Sequence, residues 1–179
     1  MRFLIHAAIA LTALTTLTTL TLLTACSPTF NWRDVRPDGT RLALLLPCKP
    51  DKAQRTVPIA GQQVEINLLS CDAGGVTFAV STADVSDAAK TGAVLAQWQS
   101  AALTNIKAAP PVSRDAFVLP GLASAGVVVK ATGQRSNGQA VNSHAAYFAQ
   151  GSRIFQAVIY ADKIDPDVAD TFFSSLKFE

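Results

Sequence analysis

Histidine beside serine is the side-chain pairing most able to do nucleophilic chemistry in this chain, and it is thinly supplied. His144 is the only histidine outside the N-terminal apolar run that holds His6. A histidine acting as general base needs a hydroxyl within hydrogen-bond reach and an acid to orient its far nitrogen. Ser113, Ser136 and Ser152 are the candidate nucleophiles, but no serine sits in a Gly-x-Ser-x-Gly elbow, and Gly151-Ser152 falls in a turn-like segment. Such a set supports at most a weak hydrolase centred on His144. Paired carboxylates could do acid–base work, yet Asp84 with Asp87 and Asp165 with Asp167 precede helix starts, where capping accounts for them. Gly74-Gly75 lacks the Lys-Ser/Thr of a phosphate loop. Cys48 and Cys71 have neither CxxC spacing nor histidines enough for a zinc site. No catalytic residue, cofactor or metal is therefore expected.

The elements that would carry these residues can be read from periodicity. Leu42 to Leu46 is a continuous apolar run ended by Pro47, as in a buried strand, and Gln54 to Pro58 is a second strand candidate. Val64, Ile66 and Leu68 alternate with Glu65, Asn67 and Leu69 up to the turn Asp72-Ala73-Gly74-Gly75, and Val76 to Thr82 completes a hairpin. Ser86 or Asp87 caps a helix running to about Ile106, with Leu95, Trp98, Ala102 and Ile106 on one face, and Pro110-Pro111 stops it. Trp98 is expected to pack onto a sheet. Ala116 to Leu119 is a short strand candidate. Val127 to Gly133, Ala140 to Ala149 and Arg153 to Ala161, joined through Asn137-Gly138 and Gln150-Gly151-Ser152, form a three-stranded meander. Asp165 then caps a closing helix with Pro166 at its first position, and Val168, Phe172, Phe173 and Leu176 face inward.

The N-terminus reads as an address. Arg2 precedes an apolar stretch from Phe3 to Leu23 that has the layout of a secretory signal. Its end, Leu23-Thr24-Ala25-Cys26, resembles the bacterial lipoprotein signal, in which cleavage before the cysteine is coupled to acylation of its thiol and amine, the latter commonly with palmitate. The resemblance implies a signal peptide over 1–25 and a lipid anchor on Cys26; two or more acyl chains hold a protein firmly to a bilayer. A plain transmembrane anchor is the competing reading, since the run is long enough to span. Ser27 in place of aspartate resembles the pattern that releases lipoproteins to the outer membrane. With Cys26 lipidated, Cys48 and Cys71 remain as a pair in an oxidising compartment and are expected to form a disulfide; two buried free thiols are the alternative.

Residues 26–38 are polar, contain Pro28 and Pro37, and read as a tether, in which Phe30 and Trp32 either reach lipid headgroups or dock on the domain. Residues 39–179 are of ordinary single-domain length. Without Arg2 the 15 basic residues become 14 against 13 acidic ones, so the net charge is about +1 and carries no footprint for nucleic acid.

Three segments resemble the PsbP-like fold, which also includes the Ran-binding nuclear-import factor and the DcrB lipoproteins. They are Leu44-Leu45-Leu46-Pro47 followed by Lys49-Pro50, then Gly75-Val76-Thr77-Phe78-Ala79-Val80 leading into a helix, and Phe172-Phe173-Ser174-Ser175-Leu176-Lys177-Phe178. The resemblance spans Arg41 to Glu179. It implies an α+β domain: a twisted antiparallel sheet of about six to eight strands, with one long central helix and a C-terminal helix packed on it, in an α/β/α sandwich. Bacterial lipoproteins of this kind commonly have a glycine where Cys48 stands, which suits a bridge to Cys71 particular to a subgroup. The superfamily shares a scaffold and no active site, so it transfers no functional residue.

Together these readings predict a non-enzymatic lipoprotein of the bacterial cell envelope, facing the periplasm, held to the membrane through Cys26, and binding an envelope protein or assisting assembly. The alternatives are a carrier or sensor of a small apolar ligand held between sheet and helix, where Ala101, Ala102, Ala108, Ala109 and Ala123 leave room, and the weak hydrolase using His144.

Overall fold

The computed structural model describes residues 28–122 and 124–179. The expected signal peptide and Cys26 lie outside the described residues. From Phe30 onward the supposed tether is laid on the body: Phe30 and Trp32 stack on each other with ring centroids 5.9 Å apart, and both meet Phe78 edge-on. Strand β1 (Arg33–Val35) continues that docked segment and pairs antiparallel with β2 (Leu42–Leu46).

Alternation of apolar and polar residues then builds most of the molecule. A first meander is formed by β3 (Asp51–Ile59), β4 (Gln62–Ala73) and β5 (Val76–Asp84). The chain crosses over through a 3-10 turn at Ala88–Lys90, capped by the Asp87 carboxylate, and α1 (Thr91–Asn105). It returns at the far edge as β6 (Ala109–Phe117) and runs inward through β7 (Gly126–Gln134), β8 (Ala140–Gln150) and β9 (Arg153–Ala161). Because β9 pairs with β5, the two meanders fuse into one seven-stranded antiparallel sheet of order β3-β4-β5-β9-β8-β7-β6. Helix α2 (Pro166–Ser174) follows, with Asp165 accepting from the Asp167 and Val168 amides, and β10 (Lys177–Phe178) ends on β2 to complete a three-stranded sheet β1-β2-β10.

The two faces of the large sheet are buried by different partners. On one, Phe78, Phe148 and Phe155 pack with Phe172 of α2 and with Leu42, Leu44 and Leu46 of β2. On the other, Ala79, Ala145, Tyr147 and Val158 pack under Val94 and Trp98 of α1. Gly133 permits the close seating of α1: a Cβ there would run into the Ile106 carbonyl, which accepts a 2.6 Å hydrogen bond from the Gln134 amide.

This architecture corrects the expected PsbP-like sandwich. Strands make up 52% of the described residues, as ten strands in two antiparallel sheets. Among the described residues there are two helices, one of 18 residues counting its opening 3-10 turn, so the layout of a sheet with a long central helix and a C-terminal helix does not hold. The physical reasons are local. The strands around β2 form a second sheet, because β1 and β10 satisfy both of its edges. The segment from Ala109 is strand despite Pro110 and Pro111, since an edge strand can turn its donor-free positions outward.

Candidate functional site

The most elaborate polar arrangement in the interior lies on the α1 face. Side chains of one face recur at every second residue, and in-register partners on neighbouring strands lie side by side. Ser81 on β5 is paired with Gln156 on β9, and Gln156 with Tyr147 on β8, which sets three polar side chains in one transverse row. Ser81 is 6% and Gln156 7% exposed. The Gln156 amide Nε2 donates to the Tyr147 hydroxyl at 2.8 Å. Burial pushes the Tyr147 phenol well above its ordinary pKa, more than the Gln156 bond brings it down. A second row pairs Tyr160 with Ser143; burial raises the Tyr160 phenol too, against a side-chain hydrogen bond from Ser143.

Above the Ser81–Gln156 end of this row the helix does not close on the sheet. A cleft of about 260 Å³ is left there, with Ser81 and Gln156 at its floor and Trp98, Ala102 and Asn105 of α1 along one wall. Val57, Pro58 and Ile59 of edge strand β3, with Ile66 of β4, form the other wall, and Arg55 stands on the same stretch. Trp98 is held edge-on to Tyr147, ring centroids 6.5 Å apart, so the wall is fixed to the floor. Among the described residues the Ser81 hydroxyl and the Gln156 carbonyl make no side-chain hydrogen bond, and both border the cleft. An unpaired polar atom in a nearly buried site stays stable only where water or a ligand can reach it.

His144 stands elsewhere, on the α2 face of β8. Its in-register neighbours are Lys130 on β7 and Ile159 on β9, and Ser113 on β6 lies beyond Lys130. Two inter-strand steps of about 4.8 Å put Ser113 roughly 10 Å from His144, outside proton-transfer reach. Ser136 and Ser152 occupy the turns at opposite ends of β8. Burial first, and the positive charge of Lys130 second, hold the imidazole below its ordinary pKa. His144 and Lys130 border a second, more apolar cleft of about 380 Å³ whose walls include Phe117, Ile164 and Phe173 and whose rim carries Asp115 and Asp170.

The remaining sequence candidates have structural posts. Asp84 accepts from the Ser86 amide at 2.8 Å, and that bond, with Ser152 and Arg153 nearby, holds its carboxyl below the usual range. Asp87 and Asp165 cap helices. Cys48, just past β2, and Cys71, on β4, stand at disulfide distance, with Cα atoms 6.0 Å apart, where the small sheet meets the large one. Of the alanines expected to leave room, Ala101 and Ala102 border the cleft under α1, Ala108 and Ala109 do not, and Ala123 lies outside the described residues. Arg55, Ser81, Gln156 and Tyr160 were not singled out from the sequence. The available signal was Gln156, a polar residue on the buried side of an otherwise apolar strand.

No family model matches the chain, and no curated protein matches it. Among solved structures, the chain is similar to PA94, a protein of unknown function from Pseudomonas aeruginosa, with 19% identity over 73% of this chain and 82% of that one and a TM-score of 0.38. A likeness that loose assigns neither fold nor function.

Proposed function

We propose that this protein is a lipid-anchored binding module of the bacterial envelope that holds a small molecule in the cleft under α1. The observation that carries the reading is the cleft floor: two polar side chains more than nine-tenths buried, with unpaired hydrogen-bonding atoms bordering a space that the helix leaves open. Ligand sites typically combine apolar walls with a few convergent polar groups.

The anchor at Cys26, the periplasmic side and the outer membrane follow from the lipoprotein-like signal and Ser27. Four residues at about 3.5 Å each let the chain span at most roughly 14 Å from Cys26 to the docked Phe30, so an acylated Cys26 would keep the domain close to the bilayer. An oxidising compartment also suits a covalent bond between Cys48 and Cys71, which would tie the docked N-terminal strands to the large sheet.

Native mass spectrometry of the protein extracted from envelopes tests the reading. A noncovalent adduct is expected on the wild-type chain and is expected to be lost in Ala102→Trp, whose indole would fill the cleft. A wild-type mass accounted for by chain and acyl groups alone, or an adduct kept in Ala102→Trp, would overturn it.

A further inference from the structure

We infer that the ligand of the cleft under α1 is a small monocarboxylate with a flat apolar body and a hydrogen-bonding group at its far end. The inference rests on the cleft being a binding site, and adds the chemical class of what it binds.

Charge gives the first argument. Among the described residues Arg55 is the only charged side chain bordering the cleft, no carboxylate shares it, and Arg55 has no ion-pair partner. A guanidinium presents two parallel donors matched to the two oxygens of a carboxylate, and the pair is stronger than a neutral hydrogen bond. A single guanidinium with no second cation beside it suits one negative charge better than the two of a phosphate monoester.

Shape gives the second. Arg55 lies on β3 opposite Ile66 of β4, while Ser81 and Gln156 lie on β5 and β9. Three inter-strand steps of about 4.8 Å separate β3 from β9. A carboxylate on Arg55 therefore leaves the rest of the ligand to cross Ile66 beneath Trp98, an apolar passage between a ring and a branched side chain. Its far end reaches the Ser81 hydroxyl and the Gln156 carbonyl, which can accept from a hydroxyl or N–H. The volume, about 260 Å³, lies just under the range of drug-sized sites and restricts the body to about one ring.

The test uses the lipidated protein in detergent, dialysed free of adducts, with calorimetric titration of three probes: 4-hydroxyphenylacetate, its uncharged amide, and phenylacetate. 4-Hydroxyphenylacetate is expected to bind at least tenfold more tightly than the amide. Arg55→Gln is expected to abolish that preference, bringing the affinity for the acid down to that for the amide, while the fold persists because the residue is exposed on an edge strand. The advantage of 4-hydroxyphenylacetate over phenylacetate is expected to shrink severalfold in Ser81→Ala. Equal binding of acid and amide, or an acid preference that survives Arg55→Gln, overturns the carboxylate, and an adduct lost in Ala102→Trp would then leave the cleft standing as a site of another class. Failure of all three probes to bind at millimolar concentration overturns the proposal, and coupled with the absence of any adduct it removes the binding reading as well.

Discussion

The two faces of the seven-stranded sheet are made by alternate residues of the same strands, yet they are finished differently. Toward α2 and the small sheet, Phe78, Phe148, Phe155 and Phe172 are each less than 2% exposed, and the Phe148 and Phe155 rings stack with centroids 5.1 Å apart. Toward α1, the central strands present Ala79, Ala145 and Val158 among Ser81, Ser143 and Gln156, and the cover leaves a cleft. Interiors approach crystal packing density, so the centre of the ring-filled face leaves no space and its cleft lies at the edge beside His144, whereas small and polar side chains under a single helix leave space over the central strands. The difference teaches where each face opens: the α1 face over its central strands, onto polar side chains, and the aromatic face only at its edge.

The largest expected effect tests that contrast directly. Phe172 is fully buried and meets Phe78 at 5.5 Å and Phe173 at 5.0 Å between ring centroids. Phe172→Ala is expected to destabilise the fold by about 3–5 kcal/mol in urea titrations, the range for truncating an aromatic ring in a tight core. On the other face, replacing both hydrogen-bond partners in the double variant Tyr147→Phe/Gln156→Leu is expected to shift stability by less than about 1 kcal/mol, because no buried polar atom of the pair is left orphaned. Similar losses from the two changes would erase the distinction between the faces.

A smaller effect concerns the aromatic face's outer layer. If Cys48 and Cys71 are covalently joined, their sequence separation of 23 implies a contribution of roughly 3 kcal/mol in the chain-entropy model, lost on reduction. Urea titrations with and without reductant are expected to show it, alongside alkylation of the denatured chain that adds mass at Cys48 and Cys71 only after reduction. Unchanged stability, with both cysteines alkylated in the absence of reductant, would mean two free thiols and a small sheet held by packing alone.

Local signals in the sequence were sufficient for much of this fold and misleading for the rest. The β7–β8–β9 meander, the β4–β5 hairpin, the Asp165 cap and the packing of Trp98 were all legible, because alternation, Asn-Gly and Asp-Pro act within a few residues. The small sheet was not, since β10 is two residues long and exists only because β2 offers an edge over a hundred positions earlier. Pro110 and Pro111 were read as breakers, although at a sheet edge they are compatible with a strand. The cleft was hidden for a related reason. Arg55, Ile66, Ser81 and Gln156 are scattered along the chain and meet only through the registers of three strand pairs.

The smallest effect sharpens the comparison at the open edge of the aromatic face, where His144 is half-buried beside the second cleft. Its pKa is lowered by burial first and by Lys130 second, while Asp115 of β6 and Asp170 of α2 stand on the same rim and do not reverse the direction. The folded chain therefore takes up this proton less readily than the unfolded one. As pH falls through the ordinary imidazole range, the unfolded state binds more protons, so stability is present in full above about pH 6.5 and declines as pH drops through the folded-state pKa. Asp84, also lowered, loses its contribution only in the more acid carboxylate range, so the two windows separate. Urea midpoints measured from pH 7.5 to 5 are expected to fall modestly for the wild-type chain and to stay flatter for His144→Gln. An equal fall in both would place the titrating group elsewhere and leave this edge of the aromatic face without a proton-linked contribution to stability.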